Sequence, residues 1–320
     1  MFFEGSEKKL EVVVGSGMGP LRELDENYWE SIVGVAEASI LSKISNSFCD
    51  AFLLSESSLF VWDDRFTMIT CGQTVLANAA IKFLEDQSEN AVLSLIYQRK
   101  NEFYPRLQRS DFFKDIEQLS SKIDGKAYRF GEPDGHHLYL FHMNKEFQPA
   151  STDQTLEILM YNIKGSLREA FVDPQIDTKQ IRKLTSLDQL FEGFEINDHA
   201  FSPCGYSMNA LMDEKYYTVH VTPEEEGAYV SFETNVNAQE QVDSLLNRLT
   251  EVFQPQSFDI VSFGRKDGVE IESPKFVRKN FVKEKLRCGY QVYFSHFYEP
   301  RNQSGRAVEL FSAASREIDQ

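Results

Sequence analysis

Four cysteines in 320 residues, at positions 49, 71, 204 and 288, form no C-x-x-C pair. The chain therefore offers neither a cysteine zinc site nor a disulfide framework, and reduced cytosolic thiols fit this usage. Positive charge is also scarce, since 33 Lys and Arg face 50 Asp and Glu for a net charge of −17. A nucleic-acid partner needs clustered basic residues and is not expected, whereas a cationic ligand suits the balance better than an anionic one. Nowhere do about 18 uncharged apolar residues follow one another. Met1 to Gly5 has no basic segment leading into an apolar one, so neither secretion nor a membrane partner is expected and the placement is cytoplasmic. No low-complexity segment appears. What the chain does have is core material, 42% hydrophobic and 13% aromatic residues, enough for one large domain or two smaller ones.

Periodicity organises this material twice over. Leu10, Val12 and Val14 alternate with Lys9, Glu11 and Val13 as in a half-buried strand, and a helix is expected over about Glu26 to Ala36. Strand patterns recur at Ile40 to Ile44, Ala51 to Leu54, Ser58 to Trp62 and Phe66 to Thr70, before Val75, Leu76, Ala79, Phe83 and Leu84 take up helical spacing. Similar order returns in the alternating runs Tyr217 to Val221 and Ala228 to Thr234, followed by a helical stripe from Val242 to Phe253 that Asn237 and Glu240 would cap. We therefore expect two related halves, about 1–164 and 196–320, joined by a connector at 165–195 containing Pro174 and Gly193. Strands close in sequence favour antiparallel hairpins, with helices covering one face of each sheet. The expected fold is α+β, a single four-layer αββα sandwich of two mainly antiparallel sheets, with the chemistry between them.

Leu54-Ser55-Glu56-Ser57-Ser58-Leu59-Phe60 carries a chemical possibility beyond a hairpin turn. If the Ser57 hydroxyl attacks the Glu56 carbonyl, the amide becomes an ester. Elimination across the Ser57 Cα–Cβ bond then breaks the chain, and the resulting dehydroalanine hydrolyses to a pyruvoyl ketone. Such a carbonyl forms a Schiff base with an amine and draws electrons from a departing carboxylate. By itself the tetrad also suits an ordinary turn.

Companion segments lie in order along the chain. They are Phe2-Phe3-Glu4-Gly5-Ser6-Glu7-Lys8, Thr70-Cys71-Gly72, Asp153 to Met160, Phe201-Ser202-Pro203-Cys204-Gly205-Tyr206-Ser207-Met208-Asn209, His220-Val221-Thr222-Pro223-Glu224, and Tyr229 to Asn235. Together they resemble eukaryotic-type S-adenosylmethionine decarboxylase, from near residue 2 to about residue 265. The resemblance implies an αββα proenzyme that cuts itself between Glu56 and Ser57 into chains 1–56 and 57–320. Its activity would be to decarboxylate S-adenosylmethionine, giving the aminopropyl donor for spermidine and spermine and releasing CO2. The cofactor would be the self-derived pyruvoyl group, with no metal and no pyridoxal phosphate.

By resemblance, Ser57 becomes the electron sink, and Cys71 protonates the product α-carbon. His220 removes the proton that lets the ester eliminate, with Ser207 in the same pocket. Strand parity independently gives His220 a polar face shared with Tyr216, Thr218 and Thr222. Phe3 and Phe201 match the rings that stack the adenine, and Glu224 would accept from the ribose hydroxyls. Glu4 and Glu7 would line the cavity, with Glu56 and Leu54 completing the substrate contacts.

A second constellation is charged. Glu7, Lys9 and Glu11 share one strand face, and Asp153, Thr155 and Glu157 share another. If both meet Glu233 between the sheets, carboxylates are buried together and need a cation. In animal relatives that cation is the activator putrescine, and Glu11, Asp153, Thr155, Glu157, Glu233 and Phe263 match its site. Ile69, Ile96 and Gln98 depart from the animal pattern, and Lys9 resembles the basic residue of plant enzymes, a built-in substitute for the diamine. The resemblance leaves either a monomer or a dimer of processed units open. An inactive regulatory paralogue, or a pyruvoyl decarboxylase of another amino acid, would keep the scaffold but not the whole set Ser57, Cys71, Ser207, His220, Phe3, Phe201 and Glu224.

Overall fold

The computed structural model describes residues 3–87, 91–237, 241–265, 271 and 273–300. Alternating segments of the first half become β1 (Lys8–Val14), β2 (Ile40–Ser45), β3 (Asp50–Leu54), β4 (Ser57–Val61), β5 (Arg65–Thr70), β6 (Val92–Lys100), β7 (Gly125–Gly131) and β8 (His137–Met143). The second half supplies β9 (Thr155–Tyr161), β10 (Glu195–Ala200), β11 (Tyr206–Met212), β12 (Lys215–Thr222), β13 (Tyr229–Thr234), β14 (Ser257–Gly264), β15 (Val277–Lys285) and β16 (Gln291–Tyr298). The sheets run β2-β3-β4-β5-β1-β6-β8-β7 and β10-β11-β12-β13-β9-β14-β16-β15, antiparallel throughout their pairings. Adding eight to each strand number of the first order gives the second. The two halves thus repeat one topology.

This repeat corrects the expected division at residues 164 and 196. Strand β9 sits between β13 and β14, just as β1 sits between β5 and β6, so the second half begins before residue 155. The 165–195 segment belongs inside it, carrying α4 (Ser166–Ala170) and α5 (Thr178–Thr185), in the position that α1 (Glu26–Val35) holds between β1 and β2. Apolar spacing was a poor guide because central strands are buried on both faces and read like any other strand.

Helices cover the outer faces. Asp25 caps α1 by accepting from the Asn27 amide at 2.9 Å, and α5 opens with a reciprocal box between Asp177 and Gln180. Against the first sheet, α2 (Leu76–Asp86) buries Leu76, Ala77, Ala79, Ala80 and Phe83; α3 (Phe112–Ser120) lies beside it. On the other face α6 (Val242–Phe253) buries Val242, Leu245, Leu246, Leu249 and Phe253. The expected Asn237 cap of this helix is replaced by Gln241, whose side chain makes no capping bond; Glu240 lies outside the described residues. No described helix is long and apolar enough to cross a membrane.

Between the sheets, β2 and β3 face β10 and β11 at one end, while β7 faces β15 and β16 at the other. Apolar clusters fill both ends, one around Phe60, Trp62, Leu211 and Tyr216, the other around Leu140, Leu159, Phe263 and Phe294. The strip between these clusters is polar, and it contains the site.

Phe66 on β5 is fully buried, with its ring 5.4 Å from that of Trp29 and 4.9 Å from that of Phe83. Phe66→Ala should cost about 3–5 kcal/mol, read as a lower denaturant midpoint at unchanged slope. A Ser57→Ala background keeps the comparison on one unbroken chain. A loss under about 1 kcal/mol would mean that this layer is not packed as a core.

Candidate active site

Strands β3 and β4 form a hairpin closed by Leu54 opposite Ser57, with Ser55 and Glu56 as its tip. Closing it so tightly puts Ser57 at φ +130°, a conformation that side-chain-bearing residues rarely adopt and that stores about 1–3 kcal/mol. The Glu56 carbonyl, on the other side of that peptide bond, is held by two groups of Cys71. The amide donates to it at 2.9 Å, and the thiol at 3.4 Å. Ser57 Oγ in turn donates to Cys71 Sγ at 3.6 Å. Cys71 arrives here because Thr70, its neighbour on β5, is the register partner of Ser57. Burial, then the Glu56 carboxylate, push the Cys71 thiol far above its usual range, so it keeps its proton at neutral pH.

The Glu56 side chain is unusual in its own right. Burial raises it to about 7 against the opposing charge of Lys8, and Oε2 is enclosed without a hydrogen-bond partner. A Cβ at Gly72 would lie 2.8 Å from that oxygen and 3.0 Å from the Phe3 ring, and Gly72 also has φ +63°. Only glycine lets Glu56 and Phe3 approach Cys71 so closely. Lys8 Nζ donates to the Gly72 carbonyl at 3.0 Å and to Gln108 Oε1 at 2.9 Å. Burial, then Arg99, lower it to about 8.

Across the sandwich, His220 is gripped on both ring nitrogens. Nδ1 lies 2.9 Å from Glu7 Oε1, which also accepts from Ser231 Oγ at 2.6 Å. Nε2 lies 2.9 Å from both Ser58 Oγ and Thr218 Oγ1. A carboxylate only accepts, so Glu7 places a proton on Nδ1. The hydroxyl that His220 meets thus belongs to Ser58, because successive strand residues point to opposite faces. Asn209 completes the cluster, accepting from Ser58 at 2.6 Å and donating to the Phe52 carbonyl at 3.1 Å. Ser207 is buried in register opposite His220.

The expected substrate contacts divide into two groups. The Phe3 amide donates to Glu224 Oε1 at 3.0 Å, and Phe3 is 38% exposed, so ring and carboxylate stand together at the mouth. Phe201 turns its ring edge-on to His199 at 4.8 Å, and the following Cys204 thiol is raised by burial and then by Glu224. Glu4 is committed elsewhere: its carboxylate accepts from the Tyr104 amide at 2.9 Å and the Ser6 amide at 3.3 Å. The Leu54 side chain is fully buried in the helix-facing core, which leaves only its backbone for a ligand.

The charged constellation assembles as parity predicts, with its cations built in. Lys9 Nζ reaches Glu157 at 3.1 Å and Glu233 at 2.9 Å, and lies 6.0 Å from the Phe263 ring centroid. Lys100 also pairs with Glu157 and with Gln98 Oε1 at 2.8 Å. Burial opposes the Lys9 charge, yet Glu157 and then Glu233 hold its affinity for the proton above normal. Burial likewise opposes ionisation of Glu157, but Lys100 and then Lys9 outweigh it and set Glu157 at about 2. Glu233 is raised by burial and accepts from Tyr216. Farther along, Asp153 takes Arg65 at 2.8 Å and Tyr290 at 2.7 Å. Asp153 precedes β9 instead of lying on it. Burial, partly countered by Lys9, puts Glu11 at about 7. A cavity of about 220 Å³ opens here, lined by Glu11, Arg65, Asp153, Thr155 and Tyr216 among others.

Sequence reasoning missed Ser58, Asn209, Ser231, Lys8, Lys100, Arg65 and Tyr290. A polar residue on the inner face of a buried strand was the available signal for the first three.

The sequence matches the family described as adenosylmethionine decarboxylase over residues 1–299. It is 35% identical to the S-adenosylmethionine decarboxylase proenzyme of Leishmania donovani over 281 residues, covering 82% of this chain and 73% of that protein. It is 34% identical to the Xenopus laevis proenzyme, covering 80% and 82% respectively. In fold it is similar to the crystal structure of the Trypanosoma brucei AdoMetDC-delta26 monomer, with a TM-score of 0.60 at 23% identity over 76% of this chain and 99% of that one.

Glu56 makes the site pH-dependent with a definite sign. Its folded-state value, about 7, lies above the ordinary 4.5, so its contribution to stability is fully present below 4.5 and fades as pH rises through 7. In the Ser57→Ala background, Glu56→Gln should leave that slope behind. The melting-temperature gap between the two proteins should widen from pH 4.5 to 8 in favour of Gln, and a gap independent of pH would contradict the burial argument.

Proposed function

The chain belongs to the adenosylmethionine decarboxylase family, and we propose that it is a self-processed, pyruvoyl-dependent S-adenosylmethionine decarboxylase of the cytoplasm that feeds spermidine and spermine synthesis. The observation that carries this reading is the strained Ser57 peptide, whose Glu56 carbonyl is already held by Cys71.

Processing begins as Ser57 Oγ bonds to the Glu56 carbonyl carbon. The charge that develops on Glu56 O meets the Cys71 amide and thiol, donors fixed in place before the reaction. Breaking the C–N bond leaves an ester and a free Ser57 amine, and the unfavourable φ at Ser57 is released. Removal of the Ser57 Cα proton expels the Glu56 carboxylate as the new end of chain 1–56. We assign that proton to His220, oriented by Glu7 and seated on Ser58. The dehydroalanine left behind takes up water and loses ammonia.

The residues around Ser57 suit a pyruvoyl group, since the position is 2% exposed and faces a protonated thiol. That group, once formed, supplies the electrophile for the substrate amine and the sink for the carboxylate electrons. Cys71 then delivers its thiol proton to the substrate α-carbon, an acid step commonly worth about 10²–10⁴ in rate. Phe3 and Phe201 stack the adenine, at about 1–3 kcal/mol per ring, and Glu224 accepts from the ribose.

In the buried network three cations, Lys9, Lys100 and Arg65, face four carboxylates, Glu11, Asp153, Glu157 and Glu233. Lys9 stands in for most of what a diamine would supply, so putrescine should activate only weakly through the adjoining cavity.

Ser57→Ala should remain one chain of 36.8 kDa on denaturing electrophoresis, whereas the native protein should yield fragments 1–56 and 57–320. Cys71→Ala should still cleave, at least in part, but lose about 10²–10⁴ in CO2 release from S-adenosylmethionine. An uncleaved, inactive native protein would overturn the proposal and favour a regulatory role. Lys9→Leu should lose about 3–5 kcal/mol of stability by leaving buried carboxylates short of a cation. Putrescine should restore both its melting temperature and its activity more than it raises those of the native enzyme. No rescue would refute the substitution of Lys9 for the diamine.

A further inference from the structure

Away from the reaction centre, three side chains converge from both halves of the sandwich. Asp259 on β14 and His296 on β16 are register partners. His136 enters from the turn between β7 and β8 of the other sheet. His296 Nδ1 lies 2.6 Å from Asp259 Oδ1, and His136 Nδ1 lies 3.4 Å from Oδ2. The candidate donor atoms all fall within 4.8 Å of one another, the single such group of histidine, cysteine and carboxylate side chains among the described residues. The imidazoles are stacked, 4.0 Å apart and 15° from parallel.

Hydrogen bonding alone leaves this cluster incomplete. Asp259 Oδ2 accepts from the Tyr161 hydroxyl at 2.8 Å, while His136 Nδ1, enclosed away from solvent, faces that oxygen at 3.4 Å without a hydrogen bond to any partner. Such an orphaned polar atom ordinarily costs about 1–3 kcal/mol. We propose that His136, Asp259 and His296 form a binding site for a divalent transition cation of the zinc class. Two imidazole nitrogens and one carboxylate oxygen are the donors such ions prefer, whereas magnesium and calcium prefer oxygen throughout. Tetrahedral coordination with bonds of about 2.0–2.1 Å sets donors roughly 3.4 Å apart, a spacing that His136 and Asp259 already hold and to which the 2.6 Å His296–Asp259 pair would open on losing its shared proton. Tyr161 supplies the outer hydrogen bond that fixes a ligating carboxylate, and the partly exposed His136 side leaves room for water as a fourth ligand.

The ion would tie the β7–β8 turn of one sheet to β14 and β16 of the other. Behind it the Tyr161 ring meets that of Tyr229 at 5.4 Å, whose hydroxyl lies 3.5 Å from Glu7. The clamp therefore backs the wall of the active site without entering the chemistry, and the inference stands apart from the decarboxylase reading.

The test uses full-length protein stripped with a chelator and titrated with Co²⁺, followed by visible absorption, then with Zn²⁺ against a chromophoric chelator. One Co²⁺ per chain should bind, with d–d bands and no thiolate charge-transfer band, which separates this site from the cysteines. Tyr161→Phe should weaken binding about 10-fold. His136→Gln, at a partly exposed turn where folding can be checked by circular dichroism, should weaken it further and erase the d–d spectrum. Equal uptake by all three proteins, or no uptake by the native one, would overturn the site.

Discussion

Lys9 holds Glu157 and Glu233 from the opposite sheet, in a place where almost no water screens them. These two carboxylates are direct cross-strand partners and would repel each other without it. A buried charge is tolerable only when paired, so the central part of each sheet has one acceptable position against the other. Strand β1 and the residue before it make three polar contacts across the sheets in a row. Glu7, on the same side just before it, takes His220, Lys9 takes the glutamate pair, and Glu11 meets Tyr290. The position of the histidine relative to the β3–β4 hairpin follows from this register of contacts. The apolar clusters at either end of the sandwich supply adhesion but far less positional choice.

Where strands alternate clearly, the fold was legible. His220, Thr218 and Tyr216 face inward as parity required, and the helical stripes of α2 and α6 are buried nearly as read. The boundary between the halves was not legible, because β9, fully buried, carries no mark distinguishing a strand that ends one half from a strand that begins the next. Lys100 and Lys8 were overlooked for a related reason. On sequence grounds a lysine is a surface residue, and only the tertiary fold reveals that Lys100 meets Glu157 or that Lys8 lies under Gly72. The trio of His136, Asp259 and His296 is separated by more than a hundred residues at one step and by a sheet-to-sheet jump, so no spacing rule could collect it.

At the hairpin the motif was legible in the sequence but its geometry was not. Two adjacent serines look equivalent in one dimension. In the folded chain they are divided, Ser57 toward Cys71 and Ser58 toward His220 and Asn209. Cys71 meanwhile acts at two atoms, with a backbone amide on the Glu56 oxygen and a protonated thiol beside Ser57. Tertiary packing imposes an uncomfortable backbone angle on Ser57, one that a cut at the preceding peptide bond would release.

Strand order has a last implication for what a cut at residue 56 would mean. Residues 1–56 contribute β1, β2 and β3, and β1 lies in the interior of its sheet, hydrogen-bonded on one side to β5 and on the other to β6. A break after Glu56 would convert tertiary structure into quaternary structure without moving a strand. The short piece could leave only by unzipping the middle of a sheet and abandoning the Lys9 anchor. Severed, it would behave as a permanently captured subunit, an interface made by folding and not by encounter.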